Sequence, residues 1–253
     1  MKLGLVTYNL APKWDLATLI KNCKATGFEG VEFRTTHAHG VEPTLSPDQR
    51  KEVKKRCADG GLTIWGLGSV CEFHSPDPAV VRKNIETCAE FVKLAADIGA
   101  RGVKVRPNAI PKEVPVHKTL EQIGKALVEC GKAGAANGVE IWLEGHGRDS
   151  QHPPHIREMM DLCRHPAVGV CWNSNKPDIV NGSVKEYFQL LAKDIKSCHI
   201  NELCSSDYPW RELFALLKSI HYDRFTLAEI PETTDPIRVM KYYRALWLEL
   251  QRP

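Results

Sequence analysis

The chain has 253 residues, 43% of them hydrophobic, and a formal net charge of +3 with basic and acidic residues interspersed. That is ample apolar material for a sizeable core, and the length suits an α/β barrel, which commonly runs to about 250 residues as one unit. Without a long basic block there is no electrostatic footprint for nucleic acid, and no run approaches the roughly 20 apolar residues of a membrane span.

The opening stretch MKLGLVTYNLA is basic, then apolar, but its apolar run is too short for a signal peptide and reads as a first strand, Leu3–Thr7. Leu16, Leu19, Ile20 and Cys23 follow the i, i+3, i+4, i+7 spacing of a helix that buries one face. GFEG then turns the chain into a second strand, Gly30–Phe33. Ser46-Pro47 has the form of an N-cap and a first-turn proline. Further short apolar runs follow at Thr63–Leu67, Gly102–Val105 (after GARG), Val139–Leu143, Val168–Cys171, Ser197–Ile200 and Arg224–Ala228. HPPH, with His152 and His155, imitates metal spacing, but its prolines mark a loop entering a helix. Helical stripes recur at Leu213, Leu216, Leu217 and Ile220, and at Val239, Tyr243, Leu246 and Leu250. The Trp residues of IWL and VCW read as packing residues.

Eight strand–helix units of about 30 residues predict a single (β/α)8 TIM-barrel domain over residues 1–253. An open doubly wound sheet is disfavoured, because no Gly-x-Gly-x-x-Gly follows the first strand. The nine cysteines, Cys23, Cys57, Cys71, Cys88, Cys130, Cys163, Cys171, Cys198 and Cys204, are odd in number and include no CxxC pair. Most lie in apolar periodic segments, so free thiols and a reducing cytoplasm are expected.

In such a barrel the active site forms at the carboxyl ends of the strands. The polar residues there are Tyr8, Arg34, Glu72 with His74, Lys104 with Arg106, Glu144 followed by GHG, Asn173, His199 followed by Asn201 and Glu202, and Glu229. Glu144, Asn173, His199 and Glu229 close four consecutive strands. Two carboxylates, an amide oxygen and an imidazole suit Mn²⁺ or Mg²⁺, and also Zn²⁺ or Co²⁺. Such a cation would stabilise an enediolate, and two Glu residues could move a proton between adjacent carbons. The structural alternatives are ion pairing of Glu144 and Glu229 with Lys104 or Arg106, a hydrogen-bonded core role for His199, and turn chemistry for Asn173 within NSN.

GFEGVEFR, VEIWLEGHG, VGVCWNSN, SCHINE and RFTLAEI, in that order over nearly the whole chain, resemble strands 2, 5, 6, 7 and 8 of the sugar isomerase/epimerase superfamily, with its xylose isomerase-like TIM barrel. The resemblance implies a divalent metal held by Glu144, Asn173, His199 and Glu229, with Glu144 and Glu229 doubling as acid/base catalysts. Asn173 departs from the family's Asp; an amide carbonyl still ligates hard cations, with one charge fewer. His146, Lys104, Arg106 and Glu202 are the candidate substrate contacts. Lys176 is a poor match to the basic or His residue that follows the sixth-strand ligand in relatives.

The expected function is therefore a metal-dependent isomerase or epimerase of a sugar or keto-sugar, working by proton transfer. Lacking a Gly-rich phosphate loop after strands 7 or 8, it would favour an unphosphorylated substrate. A keto-sugar or cyclitol dehydratase or lyase uses similar parts, and a non-catalytic sugar-binding barrel is the alternative that Asn173 favours. The superfamily's abasic-site endonucleases hold three zinc ions and need more His and Asp ligands than this chain offers. The expected partner is a small molecule, with no nucleic acid and no membrane, and the pattern is compatible with a homo-oligomer.

Overall fold

A computed structural model describes residues 1–252. Eight parallel strands, β1 (Lys2–Val6), β2 (Gly30–Arg34), β3 (Thr63–Glu72), β4 (Gly102–Arg106), β5 (Glu140–Glu144), β6 (Val168–Asn173), β7 (Ile195–Ile200) and β8 (Phe225–Ala228), close into a barrel in chain order. Eight helices surround it: α1 (Leu16–Thr26), α2 (Pro47–Asp59), α3 (Pro78–Ile98), α4 (Val116–Ala136), α5 (Pro153–Cys163), α6 (Lys185–Leu191), α7 (Trp210–Ser219) and α8 (Pro236–Leu250). The (β/α)8 expectation is met. None of the helices is long and apolar enough to cross a membrane.

Local chemistry starts the helices where it should. Asp15 caps α1 by accepting from the Thr18 amide, and Ser46 and Gln49 form a reciprocal capping box at α2 ahead of Pro47. HPPH does enter a helix, with His152 as the N-cap of α5 and prolines in its first turn.

Apolar side chains separate into two cores. The larger lies between strands and helices, and the smaller, of Val6, Trp65, Trp142, Cys171, Phe225 and Leu227, fills the barrel. Trp142 stacks on Trp65 at 5.1 Å. It fits because Gly66 and Gly102 carry no side chain; a Cβ at Gly102 would lie 2.4 Å from the indole. Glu140 closes the amino-terminal end, accepting from Trp142, Arg101 and Arg224. The barrel is therefore plugged below, and its polar groups gather at the other end.

Two details differ from the sequence reading. β3 runs on to Glu72, with a register shift after Gly68 where Ser69 donates to the Lys104 carbonyl. On α8 the buried positions are Met240, Tyr243 and Trp247, while Leu246 is exposed. Polar anchoring explains this choice: Trp247 donates to Thr226 Oγ1 and Tyr243 to the Ile200 carbonyl, which turns that face inward.

Candidate active site

The four predicted donors come together at the carboxyl end of β5–β8. Glu144 closes β5, Asn173 closes β6 in register with His199 on β7, and Glu229 follows β8 directly. His199 Nδ1 lies 3.1 Å from Glu144 Oε1 and 3.4 Å from Glu229 Oε2. One ligand atom from each of Glu144, His199 and Glu229 falls within 4.8 Å of the others. Asn173 Nδ2 reaches Glu144 Oε1 at 3.4 Å, whereas its Oδ1 is buried with no hydrogen-bond partner.

Glu32, which the sequence reading passed over, completes the set. It is fully buried, and its Oε2 lies 3.1 Å from His199 Nε2. A carboxylate on the far ring nitrogen fixes the orientation of a ligating histidine. The signal was present: in the buried strand GVEFR, Val31 and Phe33 face the helices while Glu32 and Arg34 alternate inward.

Lys104 and Glu144 form a buried ion pair at 2.8 Å through Oε2. Burial alone would drive the Glu144 carboxyl upward, but Lys104 and His199 hold it well below the usual carboxylate range. Burial likewise opposes the charge on Lys104, and Glu144 and Glu32 overcome it, so its affinity for a proton is raised. For His199, burial is outweighed by the neighbouring Cys171 and by the Glu32 and Glu144 carboxylates, again in the raised direction.

These residues fit a divalent cation. Glu144 divides its oxygens, Oε2 to Lys104 and Oε1 toward His199 and Asn173. His199 spends Nε2 on Glu32 and presents Nδ1 to the cluster. The orphaned Asn173 oxygen is a buried acceptor that a cation would satisfy.

The remaining predicted contacts divide. His146 and Glu202 line a cleft of about 580 Å³ together with Asn9, Asn173, Asn201 and Glu229. Burial pushes the His146 imidazole down, favouring its neutral form, and its Nδ1 is buried without a partner. Lys104 is buried against Glu144, and Arg106 pairs with Glu72. Trp172 and Trp142 are packing residues; Trp172 donates to the Tyr208 hydroxyl. Lys176 is exposed at the rim and pairs with Asp207.

The sequence pattern of the family described as xylose isomerase-like TIM barrel matches residues 20–246. The chain belongs to that family. Among solved structures it is similar to D-psicose 3-epimerase from Clostridium cellulolyticum H10, crystallised with D-tagatose, at 16% identity over 100% of both chains and a TM-score of 0.85. It also resembles the 3-keto-D-glucoside 4-epimerase YcjR from E. coli, at 15% identity over 98% of this chain and 99% of that one, TM-score 0.82. The protein IOLI, solved with a zinc atom, matches at 15% identity over 99% and 98%, TM-score 0.82. At these identities the likeness concerns the fold. No curated protein matches the chain.

Proposed function

We propose that this xylose isomerase-like barrel is a divalent-metal-dependent isomerase or epimerase of a keto-sugar. The observation that carries the reading is the convergence of Glu144, His199 and Glu229 within 4.8 Å at the open end of the barrel, beside the unpartnered Asn173 oxygen. The sugar epimerases among its structural neighbours and the zinc-bound IOLI support the same class.

Glu144, His199, Glu229 and Asn173 would hold the cation. When bound, it polarises the substrate carbonyl and stabilises charge developing on the oxygen. The two carboxylates are not equivalent. Glu229 lines the cleft, with a side chain 16% exposed and its one close contact to His199, so it is placed to take a proton from the carbon beside the carbonyl. Glu144 is 3% exposed and tied on both oxygens, so Lys104 and His199 hold it ionised as a ligand, and the proton it would hand to the sugar is one passed to Oε2 by the Lys104 ammonium. Neutral His146, on the cleft wall, is available to hold a substrate hydroxyl.

The test is metal content of the purified protein, followed by proton NMR of keto-sugars in D₂O, where deuterium entry beside the carbonyl reports proton abstraction. Glu229→Gln should abolish exchange. Turnover that survives this change removes the two-carboxylate mechanism. A sugar-binding barrel without catalysis is the second reading, favoured by the Lys104–Glu144 pair, which already supplies a cation to one carboxylate. Metal-independent sugar binding with no exchange would establish it.

A further inference from the structure

We propose that the substrate is an acidic sugar, with its carboxylate taken by Arg34 on the β2–β4 side of the barrel mouth; the inference rests on the keto-sugar reading above. Arg34 shares the inward face of β2 with Glu32, one pleat nearer the mouth. Glu32 is engaged by His199, Lys104 is engaged by Glu144, and Arg106 is engaged by Glu72. Arg34 alone of these charged groups has no counter-ion. It is half-buried, yet among the described residues no carboxylate lies within 4.0 Å of its guanidinium. Its contacts are a 3.4 Å approach to the Thr35 carbonyl and the face of the Tyr8 ring, 5.7 Å from Cζ to the centroid.

A second guanidinium stands close by. Burial first, and the charge of Arg106 next, make the protonated form of Arg34 less favourable than usual. Arg106 in turn keeps a buried Nε without a partner. Glu144 and Glu32 favour the Arg34 charge from a distance, but whereas Arg106 is paired with Glu72, the half-buried Arg34 fork has no direct ion pair, which an anion would supply. The backbone leaves room for this. Gly68 sits in register between Arg34 and Lys104, and a Cβ there would lie 3.4 Å from Arg34 Cδ and 2.8 Å from Glu32 Oε1. The Arg34 stem therefore lies across β3. Its supporting Tyr8 adjoins Asn9, which lines the same cleft as Glu229. A substrate with its reacting carbons at Glu229 would extend an anionic end toward Arg34.

The chemistry favours a carboxylate over a phosphate. One free planar fork matches two coplanar oxygens. Phosphate sites in this barrel are built from the loops after strands 7 and 8. Here those loops carry Glu202 and Glu229, both lining the cleft, which would repel a dianion.

The experiment is calorimetric titration of the purified protein with 5-keto-D-gluconate, D-fructose and inorganic phosphate, repeated on Arg34→Met and Arg34→Lys, with thermal unfolding to check each variant's fold. The wild type should bind the keto-acid at least about tenfold more tightly than the neutral ketose. Arg34→Met should erase that preference with D-fructose affinity unchanged, and Arg34→Lys should keep part of it. Equal affinity for the two sugars, or a preference that survives Arg34→Met, overturns the inference. Phosphate binding more tightly than the keto-acid overturns it in favour of a phosphorylated substrate. Deuterium exchange separates the two proposals: exchange into D-fructose without acid preference removes the acidic substrate only. An Arg34-dependent acid preference without exchange upholds the carboxylate site and removes the proton-transfer reading. Binding of neither sugar overturns both.

Discussion

Lys104→Met isolates the charge that Glu144 depends on. The two side chains are buried, 5% and 3% exposed, and meet at 2.8 Å. Methionine keeps the length of the stem and removes the ammonium. Glu144 retains donors on Oε1 from His199 and Asn173 but loses the one on Oε2. Removing one partner of a buried ion pair costs about 3–5 kcal/mol, and the surviving donors place this case near the lower end, about 3 kcal/mol. If the cluster holds a cation, Mn²⁺ should repair the loss, because it supplies positive charge at the same carboxylate. A ligand at a hundred times its Kd stabilises a folded protein by about 2.7 kcal/mol. The variant, freed of the competing ammonium, should bind Mn²⁺ more tightly and gain more than the wild type. Urea unfolding followed by tryptophan fluorescence, in EDTA and in excess Mn²⁺, measures all four stabilities. A loss below about 1 kcal/mol in EDTA, the value of an exposed pair, would refute the assigned role of Lys104. Equal gains from Mn²⁺ in both proteins would show that Glu144 is not at the metal.

Glu32→Gln should weaken metal binding by about 10–100-fold in a chelator competition, as loss of the orienting carboxylate does elsewhere, and unchanged affinity would remove Glu32 from that role. Asn173→Asp restores a third anionic oxygen and should tighten Mn²⁺ binding; an affinity equal to wild type would put residue 173 outside the coordination shell. Asp178 is buried between the Asn175 amide and the Tyr208 hydroxyl, and burial pushes its carboxyl up to about 7 from 3.8. A raised carboxyl means that the folded protein binds the extra proton in that interval, so its contribution is complete below about pH 4 and is lost as pH rises toward 7. Against Asp178→Asn, the wild type should lose up to about 4 kcal/mol of unfolding free energy across that window, and a flat difference would show ordinary titration.

The barrel was legible because parallel strands buried on both faces leave short apolar runs, and helices between them leave a regular spacing. The four candidate donors were legible for the same reason, since each closes or nearly closes such a run. Glu32 was harder to read than Arg34, which ends its strand. GVEFR looks like any buried strand, and only the closed barrel decides that its even-numbered residues face the axis rather than the helices. The α8 stripe failed differently. Val239, Met240, Tyr242, Tyr243, Leu246 and Trp247 offer apolar side chains on more than one face, and periodicity cannot choose among them. The choice was made by Thr226 and the Ile200 carbonyl, two polar partners on distant strands.

Asn173 shows how the two kinds of information combine. As a turn residue its side chain would bond the local backbone. Instead it ends a strand, and the tight turn beyond is held by Asp178, whose carboxylate accepts from the Asn175 backbone amide. The Asn173 side chain is left to face Glu144. A carboxylate at 173 would set another anion against Glu144 Oε1 and hold together only with a cation between them. The amide donates to that oxygen through Nδ2 and still keeps Oδ1 for a ligand. With Lys104 on the other carboxylate oxygen, Glu144 is neutralised and hydrogen-bonded from within the chain. The substitution thus lowers the charge demand of the site without dismantling its geometry, and a site of this kind should bind metal more weakly, and survive its removal better, than one built on three carboxylates.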